Sequence, residues 1–264
     1  IVQHAKEEVR KAYHLPDSHE ILFLQGGASL QFAMLAFNLG SAGGFINTGT
    51  WSERAIGEAR TLAYSKEQEP LELWTGKEKH FNEVPQTVDL TGQQTAHLNY
   101  FHITSNNTIY GTQYKKLPQI KGIRSALPIV IDASSDLFAQ EIPWSKVGLL
   151  YGGAQKNAGP SGVTIVIGRK DLLYRTAQHP FCPKIMAYST HAEKNSLYHT
   201  PNTLGIFAVG QVARWVNEQG GVQEMVKKTA AKSKQVYDIL DYYSIYQGHA
   251  QEESRSRMNI TFRA

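Results

Sequence analysis

The chain has 264 residues, 41% of them hydrophobic and 19% charged, enough for one large domain with a substantial core. Its formal charge of +4 is scattered among Asp and Glu instead of gathered in a basic block, which argues against nucleic acid; a small anionic ligand, or solubility alone, suits the same balance. No apolar run approaches the roughly 20 residues that cross a bilayer, and the single Cys182 excludes an internal disulfide, fits a reducing cytoplasm and is expected to pack.

Val2, Ala5, Val9 and Ala12 recur at helical spacing, so residues 1–13 are predicted to form an amphipathic helix that stops before Pro16. Residues 20–24 are a short apolar strand, Gly26 and Gly27 a turn, and 30–38 a buried helix. The order repeats with a strand at 44–47, a helix at 52–61, and strands at 97–104, 127–132, 148–151 and 163–167. Continuous apolar strands of this kind are buried on both faces, so the pattern predicts an α/β fold with a mixed, mostly parallel sheet flanked by helices. Helices follow at 204–217 and 222–240, separated by Gly220 and Gly221, and an alternating strand at 258–262 closes the chain. Such a strand with no later partner is expected to open a second domain, giving a large domain over 1–245 and the start of a small one over 246–264.

Four groups carry chemistry in this order. Gly26, Gly27, Ala28 and Ser29 lie at a strand-to-helix junction, where free backbone amides and the helix dipole suit an anion. Trp51 can stack on a planar ring or simply pack. Asp132 ends a strand, where a carboxylate can pair with a protonated ring nitrogen or cap its own turn. Lys156 sits in the glycine-rich run 154–162, and a lysine partly withdrawn from water can act as a neutral amine that attacks an aldehyde.

The stretch 130–172, with Ile131, Asp132, Ala133, Ser134, Ser135, Asp136 and then Gly153, Ala154, Gln155, Lys156, Asn157, resembles the phosphoserine aminotransferase group of the class V, pyridoxal-phosphate (PLP) dependent aminotransferases. The resemblance extends through Thr50, Trp51, Ser52 to Thr200, Pro201 and Met258, Asn259, and so covers nearly the whole chain. It implies an aspartate aminotransferase-like, fold type I large domain and a transaminase that moves an amino group between O-phospho-L-serine and 2-oxoglutarate or L-glutamate. That step belongs to serine biosynthesis; some relatives have a second role in pyridoxine biosynthesis.

Carried over residue by residue, the resemblance implies pyridoxal 5'-phosphate covalently bound to Lys156, which also moves the substrate proton, with Asp132 on the ring nitrogen. Trp51 is expected on the ring face and Thr108 near the ring hydroxyl, with Ala28, Ser29, Ser134 and Gln155 around the phosphate. His199 and Thr200 are expected to reach the phosphate from a second copy, which makes a homodimer part of the site; no metal is implied.

The chain departs from the family in having His199 for Asn and Asn202 for Pro. The resemblance further implies a His-Arg segment before Ile1 and an arginine-bearing small domain after Ala264, so the chain is expected to be truncated at both ends. Each missing charge-assisted contact would cost a phosphorylated substrate about 1.5–3 kcal/mol. Two other readings stand beside the leading one: a class V aminotransferase of different substrate, and a PLP-binding remnant without activity.

Overall fold

The computed structural model describes residues 1–122 and 127–264. Seven strands form the central sheet: β1 (His19–Leu24), β2 (Gly43–Asn47), β3 (Leu71–Thr75), β4 (Tyr100–Thr104), β5 (Ile129–Asp132), β6 (Val147–Gly153) and β7 (Thr164–Arg169). Their spatial order is β1-β7-β6-β5-β4-β2-β3. Only β7 runs against its neighbours; β2, β3, β4, β5 and β6 pair in parallel. The mixed, mostly parallel sheet expected from the apolar runs is therefore present.

Helices cover both faces, because strands such as β5 and β6 are buried throughout and need apolar cover on each side. On one face α1 (Val2–Ala12), α4 (Thr203–Glu218) and α5 (Gly221–Tyr242) share a core with Ile103, Ile131 and Leu150. Helices α1 and α4 pack closely, since a side chain at Gly210 would meet the backbone of Ala5 at 3.1 Å. On the other face α2 (Gly27–Leu39) and α3 (Thr50–Thr61) bury Phe32, Leu35, Ala55 and Ile56 against Val130, Leu149 and Tyr151.

Several boundaries differ from the sequence reading, three of them by three residues or more. Helix α2 begins at Gly27 instead of Leu30, because Gly26 takes a left-handed φ of 84° and turns the chain at once into the helix. Strand β4 begins at Tyr100 instead of His97, and β3, an edge strand with alternating exposure, was not anticipated. The strand expected over 258–262 is mostly irregular, with strand geometry at Phe262–Arg263 alone. Its side chains are engaged elsewhere: the Asn106 amide donates to Asn259 Oδ1 and Thr261 Oγ1 donates to the Tyr110 carbonyl, at 2.8 and 3.1 Å. The ribbon partner, Gln247–Gly248, precedes the segment. No helix among the described residues is long and apolar enough to cross a membrane.

Tyr13 ties α1 to the turn after β5. Its buried ring packs on Phe138 and Trp144 at 5.2 and 5.7 Å, and its hydroxyl accepts the Phe138 N–H at 2.7 Å. Tyr13→Phe keeps the ring and leaves a buried amide unpaired, so urea denaturation should show a loss of about 1–3 kcal/mol. An unchanged midpoint would mean that the amide finds another partner.

Candidate functional site

Parallel strands end at one edge of the sheet, and the turns after β1, β2, β4, β5 and β6 all open there. This is the edge at which α/β sheets present ligands. Every candidate site side chain, apart from His199 and Thr200, lies at the end of one of these strands, in its turn or in the first residues after it.

Asp132 ends β5 and is only 3% exposed. Its Oδ1 accepts from the Ser134 backbone N–H at 3.0 Å and from the Ser134 hydroxyl at 2.6 Å. Burial raises its pKa, and the Ser134 bonds and the Lys156 charge counter this in part. No donor among the described residues reaches Oδ2, so the carboxylate keeps one oxygen for a partner that the chain does not provide. The turn-cap reading of Asp132 is met by Oδ1, and Oδ2 stays available for a ligand.

Lys156 stands in the connection from β6 to antiparallel β7, which is fastened at both ends. The Ala154 N–H donates to the Val163 carbonyl at 2.9 Å, and the Asn157 amide donates to the Leu137 carbonyl at 2.6 Å. The Lys156 side chain is exposed, yet surrounding protein lowers its pKa, against the pull of Asp132 and Asp136. Its Nζ lies 5.1 Å from the centre of the Trp51 ring. Trp51 is half-buried in the first turn of α3 and donates its indole N–H to Thr108 Oγ1 at 3.2 Å. Trp51 therefore links Lys156 to Thr108, and Asp132 is near enough for its charge to act on Lys156.

Around it, Ser134 Oγ lies 3.4 Å from the Gly153 N–H, and the Gln155 amide packs where a side chain on Gly153 would stand. Ala28 and Ser29 occupy the first turn of α2, whose leading Gly27 N–H donates to Thr164 Oγ1 at 2.8 Å. His199 Nε2 is 3.2 Å from the amide of Gln25 in its own chain, beside the same turn, and Thr200 is exposed. The departure at Asn202 has a local reason: its Oδ1 accepts the Gly205 N–H at 2.9 Å and caps α4.

Three contributors were given no role in the sequence reading. A buried chain of hydroxyls and an amide runs beneath Trp51: Thr104 to Ser52 at 3.0 Å, Ser52 to Thr48 at 3.4 Å, and Asn107 to Thr48 at 2.8 Å. Polar residues at otherwise apolar positions were the available signal. Arg54, one turn beyond Trp51, lies 5.0 Å over the same indole. Asp136, buried four residues after Asp132, accepts from Ser105, Gln113 and Gln140.

With this geometry in view, the comparisons with known proteins give the class. The model of the aminotransferase class-V family matches residues 1–264, and the chain belongs to that family. Its fold is that of PLP-dependent aminotransferases, and more particular likenesses fall in one group. The phosphoserine aminotransferase of Lysinibacillus sphaericus (strain C3-41) is 44% identical over 259 residues, which are 97% of this chain and 68% of that protein. The phosphoserine aminotransferase structure from Bacillus circulans subsp. alkalophilus superposes with a TM-score of 0.88 at 34% identity, covering 99% of this chain and 70% of that one. The PLP-bound phosphoserine aminotransferase from Trichomonas vaginalis gives 0.82 at 32% identity with the same coverage.

Burial pushes the Asp136 carboxyl up to about 6, opposed by hydrogen bonds from Ser105 and Gln113. The folded chain therefore holds this proton more tightly than the unfolded chain, whose aspartates titrate near 4. The stability it contributes is full at low pH and is lost as pH rises from about 4 to about 6. Asp136→Asn should flatten that part of a plot of urea midpoint against pH; an identical slope would remove Asp136 as its source.

Proposed function

We propose that this chain is a PLP-dependent transaminase that moves an amino group between O-phospho-L-serine and 2-oxoglutarate. The observation that carries the reading is the convergence of Lys156, Trp51, Thr108 and Asp132, with Asp132 Oδ2 left open, at the ligand edge of a class V aminotransferase sheet. The donor set fits the cofactor. A buried carboxylate suits a pyridinium nitrogen, an indole suits a flat ring, and a lysine with lowered pKa suits an aldehyde.

In this reading Asp132 holds the ring nitrogen protonated, Trp51 covers one ring face, and Thr108 reaches the ring hydroxyl. Ala28, Ser29, Ser134 and Gln155 surround the phosphate, where the first turn of α2 directs its backbone amides. When bound, PLP supplies an aldehyde for the amine and an electron-poor ring that accepts the electron pair of a breaking substrate bond. Lys156 Nζ would anchor it and, once displaced by substrate, would take the proton from the substrate α-carbon and return it to the carbon supplied by the cofactor's aldehyde. Its lowered pKa keeps a larger share of the amine neutral for both tasks.

A second copy of the chain completes the site in this proposal, with His199 and Thr200 directed at its neighbour's phosphate. Exposed Leu204 and Phe207, at i and i+3 on α4 just beyond Thr200, offer the apolar surface that such a contact needs. The cytoplasm and a place in serine biosynthesis follow from the proposed activity.

The test adds PLP to the purified chain and then L-glutamate or O-phospho-L-serine, and measures oxo-acid release. Both should be consumed, with O-phospho-L-serine preferred over L-alanine. Lys156→Ala should slow release by about a thousandfold while leaving the circular dichroism spectrum unchanged. Unaltered release in that variant would take the lysine out of the mechanism, and equal use of L-alanine would point to another class V substrate.

A further inference from the structure

The turn after β4 is a short hairpin, in which Asn106–Asn107 pairs antiparallel with Thr112–Gln113 and Gly111 takes a left-handed φ of 65°. Thr108 lies between the two short strands. An isolated two-stranded ribbon is marginal in water, so one this small takes its shape from what it is fastened to. One side is fastened to the turn that opens α3. The Asn107 amide donates to Thr48 Oγ1 at 2.8 Å, the Trp51 indole donates to Thr108 Oγ1 at 3.2 Å, and the Tyr110 ring packs where a side chain on Gly49 would stand.

The other side is fastened to a segment 150 positions further along the chain. There the Ser256 N–H donates to the Gly111 carbonyl at 2.8 Å, the Arg257 N–H to Gln113 Oε1 at 2.9 Å, and the Thr261 hydroxyl to the Tyr110 carbonyl at 3.1 Å. A side chain on Gly111 would collide with Thr261, so a glycine is needed for the two to meet.

Asn106 joins the two sides. It is 2% exposed, and both its amide hydrogens and its oxygen are bonded: Nδ2 donates to Ser135 Oγ at 2.7 Å and to Asn259 Oδ1 at 2.8 Å, and Oδ1 accepts the Ser256 hydroxyl. Its neighbours permit only this orientation of the amide. Ser256 Oγ already accepts the N–H groups of Met258 and Asn259, each at 3.0 Å, so its hydrogen goes to Asn106 Oδ1. The Ser135 hydroxyl donates to the Asn106 carbonyl at 2.8 Å, so its oxygen accepts from Nδ2. Ser135 follows Ser134, whose two hydrogen bonds fix Asp132. One buried amide thus ties together the hairpin of Thr108, the turn of Asp132 and the segment 256–261.

We infer that Asn106, locked by Ser256 and Asn259, is a positioning residue through which the segment 256–261 sets where Thr108 and Trp51 stand relative to Asp132. The segment supplies no cofactor contact in the proposed site. Without the Asn259 acceptor an amide hydrogen of Asn106 is left buried and unpaired, a cost the hairpin relieves only by shifting. A preorganised site tolerates shifts of about 0.5 Å, so cofactor affinity falls with the lost bond. That last consequence rests on the PLP reading given above, whereas the placement of Trp51 does not.

The chain contains four tryptophans, so labelling with 5-fluorotryptophan gives four fluorine resonances, and Trp51→Phe assigns the one that matters. In Asn259→Ala without PLP the Trp51 resonance should shift or broaden, while that of Trp215, exposed on α4, stays in place. Calorimetric titration of the same variant should show PLP held about tenfold more weakly than by the parent, the scale of one buried hydrogen bond. Asn259→Asp keeps the acceptor oxygen and should return the Trp51 resonance to its parental position, a rescue that general loss of stability would not give. If Asn259→Ala does not fold, Asn259→Gln, which displaces the amide by one methylene, takes its place with the same expectations. An unmoved Trp51 resonance, an equal disturbance of Trp215, or parental PLP affinity in a chain that binds PLP would each overturn the inference. A Trp51 resonance that moves as expected in a chain whose parent takes up no PLP would refute the transaminase reading while supporting this one.

Discussion

Burial of the Asp132 carboxylate, opposed only in part by the two hydrogen bonds from Ser134, raises its pKa and leaves Oδ2 open toward the ligand edge. A charge taken out of water without a full set of partners is costly, and folded chains keep one where a ligand or a neighbouring cation compensates it. The rest of the site can be understood as the surroundings that this carboxylate requires. Ser134 fixes its direction, Lys156 brings a positive charge into its field, and β5 holds it between β4 and β6 at a single register.

The sheet topology explains why these groups meet despite lying far apart in sequence. Parallel pairing sends the carboxyl ends of β2, β4, β5 and β6 to one edge, so that Trp51, Thr108, Asp132 and Lys156 leave neighbouring strands as neighbours. Antiparallel β7 returns the chain immediately after Lys156, which shortens the connection and lets it be pinned at Ala154 and Asn157. Beneath Trp51 the Thr104, Ser52 and Thr48 hydroxyls hold the start of α3 against β4. The indole is thereby presented by a rigid element, not a loose loop.

Much of this was legible before the structure. Continuous apolar runs predicted β5, β6 and β7, since strands buried on both faces cannot alternate, and the amphipathic spacing from Val2 to Ala12 predicted α1. The four chemical groups were visible as residue types at strand ends. The remainder depended on tertiary contacts that no local pattern encodes. Met258 and Ile260 alternate like a strand, but Asn259 and Thr261 are bound to the loop at Asn106 and Tyr110, and those bonds override propensity. The Ser52 and Thr104 pair joins residues 52 positions apart.

The central claim is that Asp132 is a buried carboxylate kept for the cofactor's cationic ring. It is tested most directly by calorimetric melting of the parent chain and of Asp132→Asn, each with and without PLP. Without PLP the asparagine variant should melt higher, since it no longer buries an incompletely partnered charge, and added PLP should raise its melting temperature less than the parent's. A variant that melts lower without PLP, or that gains as much from PLP as the parent does, would contradict the account.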